Sequence, residues 1–139
     1  MFLVKRAAEV MNRAIAVLPA DMSLDIFLQQ VADDEAVQHV VVTRDGHIVG
    51  VMRLNPGMRR GLAQTDTGLT LGEAAGLKFT MVRDTTLVFD VIRRIWAKDA
   101  VLAVVVKGRG APRGGDVCGI IGKEQVADSV AESVQNYPD

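Results

Sequence analysis

Residues 107–115 (Lys-Gly-Arg-Gly-Ala-Pro-Arg-Gly-Gly) bring three cations and four glycines together, the ingredients of an anion-binding loop. A phosphate cradle needs its backbone amides fixed, usually leading into a helix. This run leads into a strand pattern and matches no phosphate-loop spacing, which favours a solvated, mobile hairpin loop. His39 and His47 flank one hairpin without a cysteine cluster or carboxylate motif beside them, a poor basis for a metal site; a surface or half-buried role is expected. Cys118 is the sole cysteine. It cannot form an internal disulfide and has no evident base nearby, so it reads as a buried apolar thiol in a reducing compartment. Arg59-Arg60, at an expected helix end, offsets the helix dipole or faces water. No Ser-His-Asp order, paired-carboxylate pattern or Walker motif occurs, so the case for an enzyme is weak. Trp96 and the methionines are expected in a core or an interface.

The elements that carry these residues follow from local patterns. Arg6 to Asn12 is rich in helix formers, and Ile15 to Leu18, closed by Pro19, suits a brief strand. Asp21-Met22-Ser23 offers caps for a helix whose Leu24, Phe27, Leu28 and Val31 share one face. Val40 to Thr43 is β-branched, Asp45-Gly46 predicts a two-residue hairpin turn, and Ile48 to Met52 is the return strand. Asn55-Pro56 looks like a helix start, with the helix running to about Gly61. Residues 64–70 are read as a linker. Then the order begins again: helix at Leu71 to Ala75, strand at Lys78 to Val82, caps at Asp84-Thr85-Thr86, and a helix with Val88, Val91, Ile92 and Ile95 on one face. Val101 to Val106 and Cys118 to Ile121 are strands, and a last helix starts at Lys123, with Val126, Val130 and Val134 four residues apart.

Laid over each other, the halves keep an offset of 63 from Asp21/Asp84 through Val42/Val105, which becomes 69 at Gly50/Gly119. The added residues fall in the hairpin loop, where insertions are tolerated. The chain is therefore expected to be an internal duplication: a first repeat over 1–63, the linker over 64–70 and a second repeat over 71–139, forming one compact module. With 49% hydrophobic and 24% charged residues in 139, an ordinary globular protein is expected. A net charge of −1 gives no bulk electrostatic reason to bind nucleic acid or a membrane surface. No apolar run approaches the roughly 18–20 residues that cross a bilayer, and the amino terminus does not have the charge order of a signal peptide. A soluble segment follows, without direct membrane insertion.

Each half thus runs helix, short strand, helix, strand, hairpin, strand, helix. With the Asp-Gly turn and the strand motifs Val49-Gly50-Val51 and Cys118-Gly119-Ile120, this resembles the cystathionine-β-synthase-type (CBS) domain, here as a tandem pair over nearly the whole chain. The resemblance implies an α/β (α+β) fold of two small three-stranded sheets with flanking helices related by a pseudo-two-fold. It also implies a non-catalytic, cytoplasmic regulatory module that senses a ligand in the inter-repeat cleft, with AMP, ADP or ATP as the possible regulatory ligand, and pairing into a homodimer through helices. Residues 119–133 and 89–96 are similar to the cytosolic C-terminus of bacterial chloride channel family proteins, which implies a membrane transport domain on the same polypeptide.

Nucleotide-binding members commonly follow the glycine-bearing strand with Thr or Ser and, three residues on, Asp, which place a hydroxyl near phosphate and a carboxylate on the ribose. Here Arg53 and Pro56 stand at those places in the first repeat, Gly122 and Gln125 in the second. Arg53 could meet a phosphate by charge, and Gln125 could hydrogen-bond a ribose. With Ile15, Val17, Thr80 and Val82 from the short strands, these are the candidate ligand-binding residues; no catalytic or metal-ligating residue is assigned. Two other readings stay open: a structural dimerisation module without a small ligand, and a stand-alone metabolic sensor.

Overall fold

A computed structural model describes residues 4–31, 36–55 and 66–136, apart from the side chains of 31, 129, 130 and 132–136. The chain divides into two compact units, Ala14–Leu77 with Arg113–Gly115, and Met1–Arg13 with Lys78–Pro112 and Asp116–Asp139. Each holds one three-stranded sheet. The α+β class expected from the sequence is the class observed.

In the unit built on Ala14–Leu77, β1 (Ile15–Pro19) pairs in parallel with β2 (His39–Arg44), which pairs antiparallel with β3 (His47–Arg53). Asp45 and Gly46 both take positive φ, 53° and 81°, as a two-residue turn matching the twist of its strands requires. A bulge between Val42 and Thr43 shifts the pairing by one residue, from Val42 opposite Gly50 to Thr43 opposite Ile48. β2 has no polar face along Val40, Val41 and Val42, all fully buried, and helices cover the side that carries Val40 and Val42. One of these is α2 (Leu24–Val31), started by Ser23 Oγ accepting from Ile26 N–H at 3.4 Å. Leu24, Phe27 and Leu28 bury together with Val40, Val42, Met52 and Leu71, as their spacing requires. The second is α3 (Leu71–Ala74), opened by a capping box: Thr70 Oγ1 accepts from Glu73 N–H and Glu73 Oε1 from Thr70 N–H. The expected helix from Pro56 to Gly61 and the Arg59-Arg60 pair lie outside the described residues.

The described end of the expected linker is held in place. The Asp25 carboxylate accepts from Thr67 N–H and Gly68 N–H, each at 3.1 Å, and from Thr67 Oγ1 at 2.9 Å. These bonds, the Thr67 amide first, hold the Asp25 carboxyl below its ordinary value of 3.8.

In the other unit β4 (Phe79–Arg83), β5 (Leu102–Val106) and β6 (Val117–Ile121) repeat the same order and senses, again with a bulge in the antiparallel pair. All five residues of β5 are buried. α4 (Val88–Ala97) buries Val88 and Val91, with Ile92 and Ile95 half-buried. It stops where Asp99 enters the left-handed region, φ 52°, and the Asp99 and Ala100 amides return to the Trp96 and Ile95 carbonyls, a Schellman closure. α5 (Lys123–Asn136) follows β6.

The short helix on this sheet is α1 (Ala7–Val10), whose Ala7 is in the core with Val82, Val91, Ala103, Val105 and Ile121. Beyond it Asn12 exchanges backbone hydrogen bonds with Ile120, 2.8 and 3.0 Å. Each sheet is thus completed by the short helix that the sequence places at the head of the other half.

Several local expectations change. The first helix ends at Val10 rather than Asn12, because Asn12 is recruited as an extra bridge at the β6 edge. Thr86 does not cap α4: its Oγ1 accepts from Arg83 N–H at 3.2 Å, and the N-cap is Leu87. His39 is buried rather than half-buried, at 8% exposure, being central in its sheet. Cys118 is half-buried and its thiol donates to the Val105 carbonyl at 3.4 Å. Trp96 is not in the core; it is 81% exposed. The glycine-rich loop is not left to solvent alone. Arg83 reaches along it to the Gly108 and Gly110 carbonyls, 2.7 and 2.5 Å, and both glycines take the positive φ that lets those carbonyls converge. At the loop's other end Arg113 donates to the Asp45 carbonyl at 3.2 Å, and Gly114 N–H to the Gly46 carbonyl at 2.9 Å.

Candidate functional site

The candidate ligand residues fall in two groups, one in each unit. In the first unit Ile15, His39 and Arg53 are aligned across β1, β2 and β3 by strand register. Ile15 is half-buried and Arg53 exposed, so this row ends in a cation at the sheet edge with a buried imidazole inboard. Val17 lies two residues on, 37% exposed. Pro56 lies outside the described residues.

In the other unit Thr80 and Val82 lie on β4, both pointing inward: Thr80 is 7% and Val82 3% exposed, and Val82 packs in the apolar core. Gly122 and Gln125 are at the start of α5. Gln125 Oε1 accepts the Gly122 amide at 2.7 Å, half of a capping box. Gln125, a candidate ribose contact by the resemblance drawn from the sequence, therefore satisfies a helix end.

The chemistry available is modest. Among the described residues no group of three or more His, Cys, Asp or Glu side chains could hold a metal ion. Burial pushes the Cys118 thiol up, with Asp84 adding to the effect, so it is a poor nucleophile. Arg53 is the one strong anion-binding group among the candidates, and a guanidinium suits a phosphate. Sequence reasoning had missed a groove of about 270 Å³ lined by Ile92, Ile95, Trp96, Val101 and Val126 among others. The residues 92, 95 and 96 are adjacent on a helix, a signal already present in the periodicity; what was missing was that Trp96 stays outside.

Comparison with known proteins places this geometry. Residues 7–54 match the family model described as "CBS domain". A comparison with the curated proteins returned no match. Among solved structures, a hemolysin-like protein containing a CBS domain from Oenococcus oeni PSU aligns with TM-score 0.66 and 20% identity, over 92% of this chain and 91% of that one. The CBS domain of a bacterial CNNM/CorC family Mg2+ transporter, in complex with ATP, aligns with TM-score 0.65 and 16% identity over 94% of this chain and 89% of that one. The cytosolic domain of the Mg2+ channel MgtE, in complex with ATP, aligns with TM-score 0.59 and 23% identity over 88% of this chain and 48% of that one. Sequence thus matches a single CBS domain over residues 7–54, and the likeness in fold to a solved CBS-containing structure extends over nearly the whole chain. No helix among the described residues is long and apolar enough to cross a membrane.

Proposed function

We propose that the chain is a non-catalytic regulatory CBS pair, cytoplasmic, serving a membrane transport domain carried on the same polypeptide. The observation that carries this reading is the likeness in fold to the cytosolic domain of the Mg2+ channel MgtE and to the CBS domain of a bacterial CNNM/CorC family Mg2+ transporter, together with the family match over residues 7–54. The chloride channel context, read from residues 119–133, is the finer form of the same proposal. An adenine nucleotide is the proposed ligand, since both of those transport-protein structures are complexes with ATP. Arg53 is its proposed phosphate contact, because it is the exposed cation among the candidates. Calorimetric titration with ATP, ADP and AMP tests this. Saturable binding is expected, weakened about tenfold by Arg53→Ala, the loss of roughly one charge-assisted hydrogen bond. No heat at millimolar nucleotide overturns it.

A second reading is favoured by one specific observation. Gln125 is engaged with Gly122, and neither repeat has the hydroxyl and carboxylate pair of nucleotide-binding members. In that reading the module assembles two copies through helices and needs no small ligand. Silent titrations combined with a dimer in sedimentation would support it.

A further inference from the structure

The two hairpins part ways at their tips. Between β2 and β3 the turn is Asp45-Gly46 alone. Between β5 and β6 the Lys107 N–H closes a neck on the Asp116 carbonyl at 3.0 Å, and residues 108–115 lie beyond it. Lengthening a free loop costs closure entropy, but this loop is fixed at both ends. Its root is Arg83 on β4, whose Nη1 and Nη2 donate to the Gly108 and Gly110 carbonyls. Its far end, Arg113–Gly115, groups with the unit built on Ala14–Leu77. There Gly114 N–H and Arg113 Nη2 donate to the Gly46 and Asp45 carbonyls at 2.9 and 3.2 Å. A two-residue turn leaves its central carbonyls without a partner in the ladder, and the loop takes both. The approach is close as well as polar. A β-carbon on Gly114 would lie 2.9 Å from Thr43 Cγ2 and 3.4 Å from Val17 Cγ1, and one on Gly46 would strike the Arg113 guanidinium. Glycine on each side lets the two backbones meet.

We propose that residues 108–115 are a strap: rooted on β4 by Arg83, they clasp the Asp45-Gly46 turn, so that the tip of the β2–β3 hairpin opens only when the loop held by the other sheet gives way. The inference goes beyond the regulatory reading and needs no ligand. It accounts for a glycine-rich run that matches no phosphate loop. Gly108 and Gly110 turn their carbonyls to Arg83, and Gly114 clears the turn. Two of the cations that suggested an anion site, Lys107 and Arg109, are exposed, while Arg113 serves the clasp. Neither Arg83 nor any residue of the strap belongs to the apolar core of either sheet. The strap can therefore be loosened without disturbing either core.

Hydrogen exchange at single amides, measured on the whole chain, tests this. Gly114→Val sets a side chain against Thr43 and Val17 and should release the clasp. Amides of residues 43–49 should then exchange about tenfold faster, as two lost hydrogen bonds imply, while those of β4 and β5 keep wild-type rates. Arg113→Ala removes one of the two bonds without adding bulk and should raise the same rates about threefold. The deciding variant is Arg83→Met, which frees the root and leaves the residues of the clasp in place. A strap requires faster exchange at 43–49 here too, by about threefold. Gly115→Ala, with nothing within 4 Å of the new methyl, should change neither region. Wild-type rates at 43–49 in Arg83→Met would overturn the strap and leave a local clip on the turn. Wild-type rates there in both Gly114→Val and Arg113→Ala would overturn the clasp as well.

Discussion

At Gly119 a β-carbon would sit 2.7 Å from Met11 Cγ and Sδ and 2.9 Å from the Asn12 carbonyl oxygen. Gly50 is its counterpart, with the Ala75 carbonyl oxygen at 2.8 Å. Met11 could swing aside, but both carbonyls belong to backbone, so these two glycines are needed for close approach rather than for a turn. Gly119→Ala and Gly50→Ala should each cost about 1–3 kcal/mol in urea denaturation. Gly76→Ala, where nothing lies within 4 Å, should be neutral or stabilising by up to about 1 kcal/mol. Asp25 gives a pH signature. Its native pKa is depressed, so its contribution is present above the ordinary carboxylate range and is lost as pH falls through and below 3.8. In thermal melts Asp25→Ala should lower the transition temperature near neutral pH and differ little from wild type at the acid extreme. An equal difference at all pH values would refute this role. The glycine motifs were visible in the sequence as part of the resemblance, but their physical cause was not. The atoms that crowd Gly119 come from Met11 and Asn12, and no local pattern relates those positions. The Asp25–Thr67 bonds escaped for the same reason.

Among the elements, the hairpin at Asp45-Gly46 and the buried faces of α2 and α4 were legible in advance, because turn chemistry and helical period are decided by neighbours in sequence. The long hairpin loop was not. Its glycines suggested freedom, whereas Arg83, on another strand, holds two of its carbonyls. Replacing Arg83 by Met should free residues 108–110. The contacts are solvent-exposed, so the loss should be near 1 kcal/mol. Tryptic cleavage after Lys107 or Arg109 should then speed up about fivefold while the global melt barely moves. An unchanged cleavage rate would show that the loop is ordered by its glycines alone. The candidate ligand positions were only partly legible: Arg53 is exposed as a phosphate contact needs, but the inward packing of Val82 depends on tertiary surroundings, while the cap made by Gln125 on Gly122 is a local contact three residues apart.

Over the whole molecule, cutting the chain at the linker should not yield two independent folds. Leu71, which opens α3, is fully buried in the sheet of the unit that begins at Ala14, and Ala7 of α1 in that of the other unit. A fragment of 14–77 should therefore be better folded than one of 1–63, with dispersed amide resonances against a collapsed spectrum. Well-dispersed spectra from 1–63 would contradict this. The repeat itself could be read from offsets in the sequence, since duplication preserves pattern. Which copy's helix serves which sheet leaves no trace in pattern, because α1 and α3 are alike and would suit either.

The place of α1 also sets a timetable for synthesis. The Ala7 and Val88 amides bond to the Thr86 and Lys5 carbonyls, so α1 is translated well before the segment it pairs with. The unit containing it cannot close until β6 has emerged, long after the strands around Asp45-Gly46 can pair. Contacts so distant in sequence slow folding and leave nascent apolar surface waiting. Within this unit the α1 segment is therefore the one a chaperone would meet unpartnered for longest.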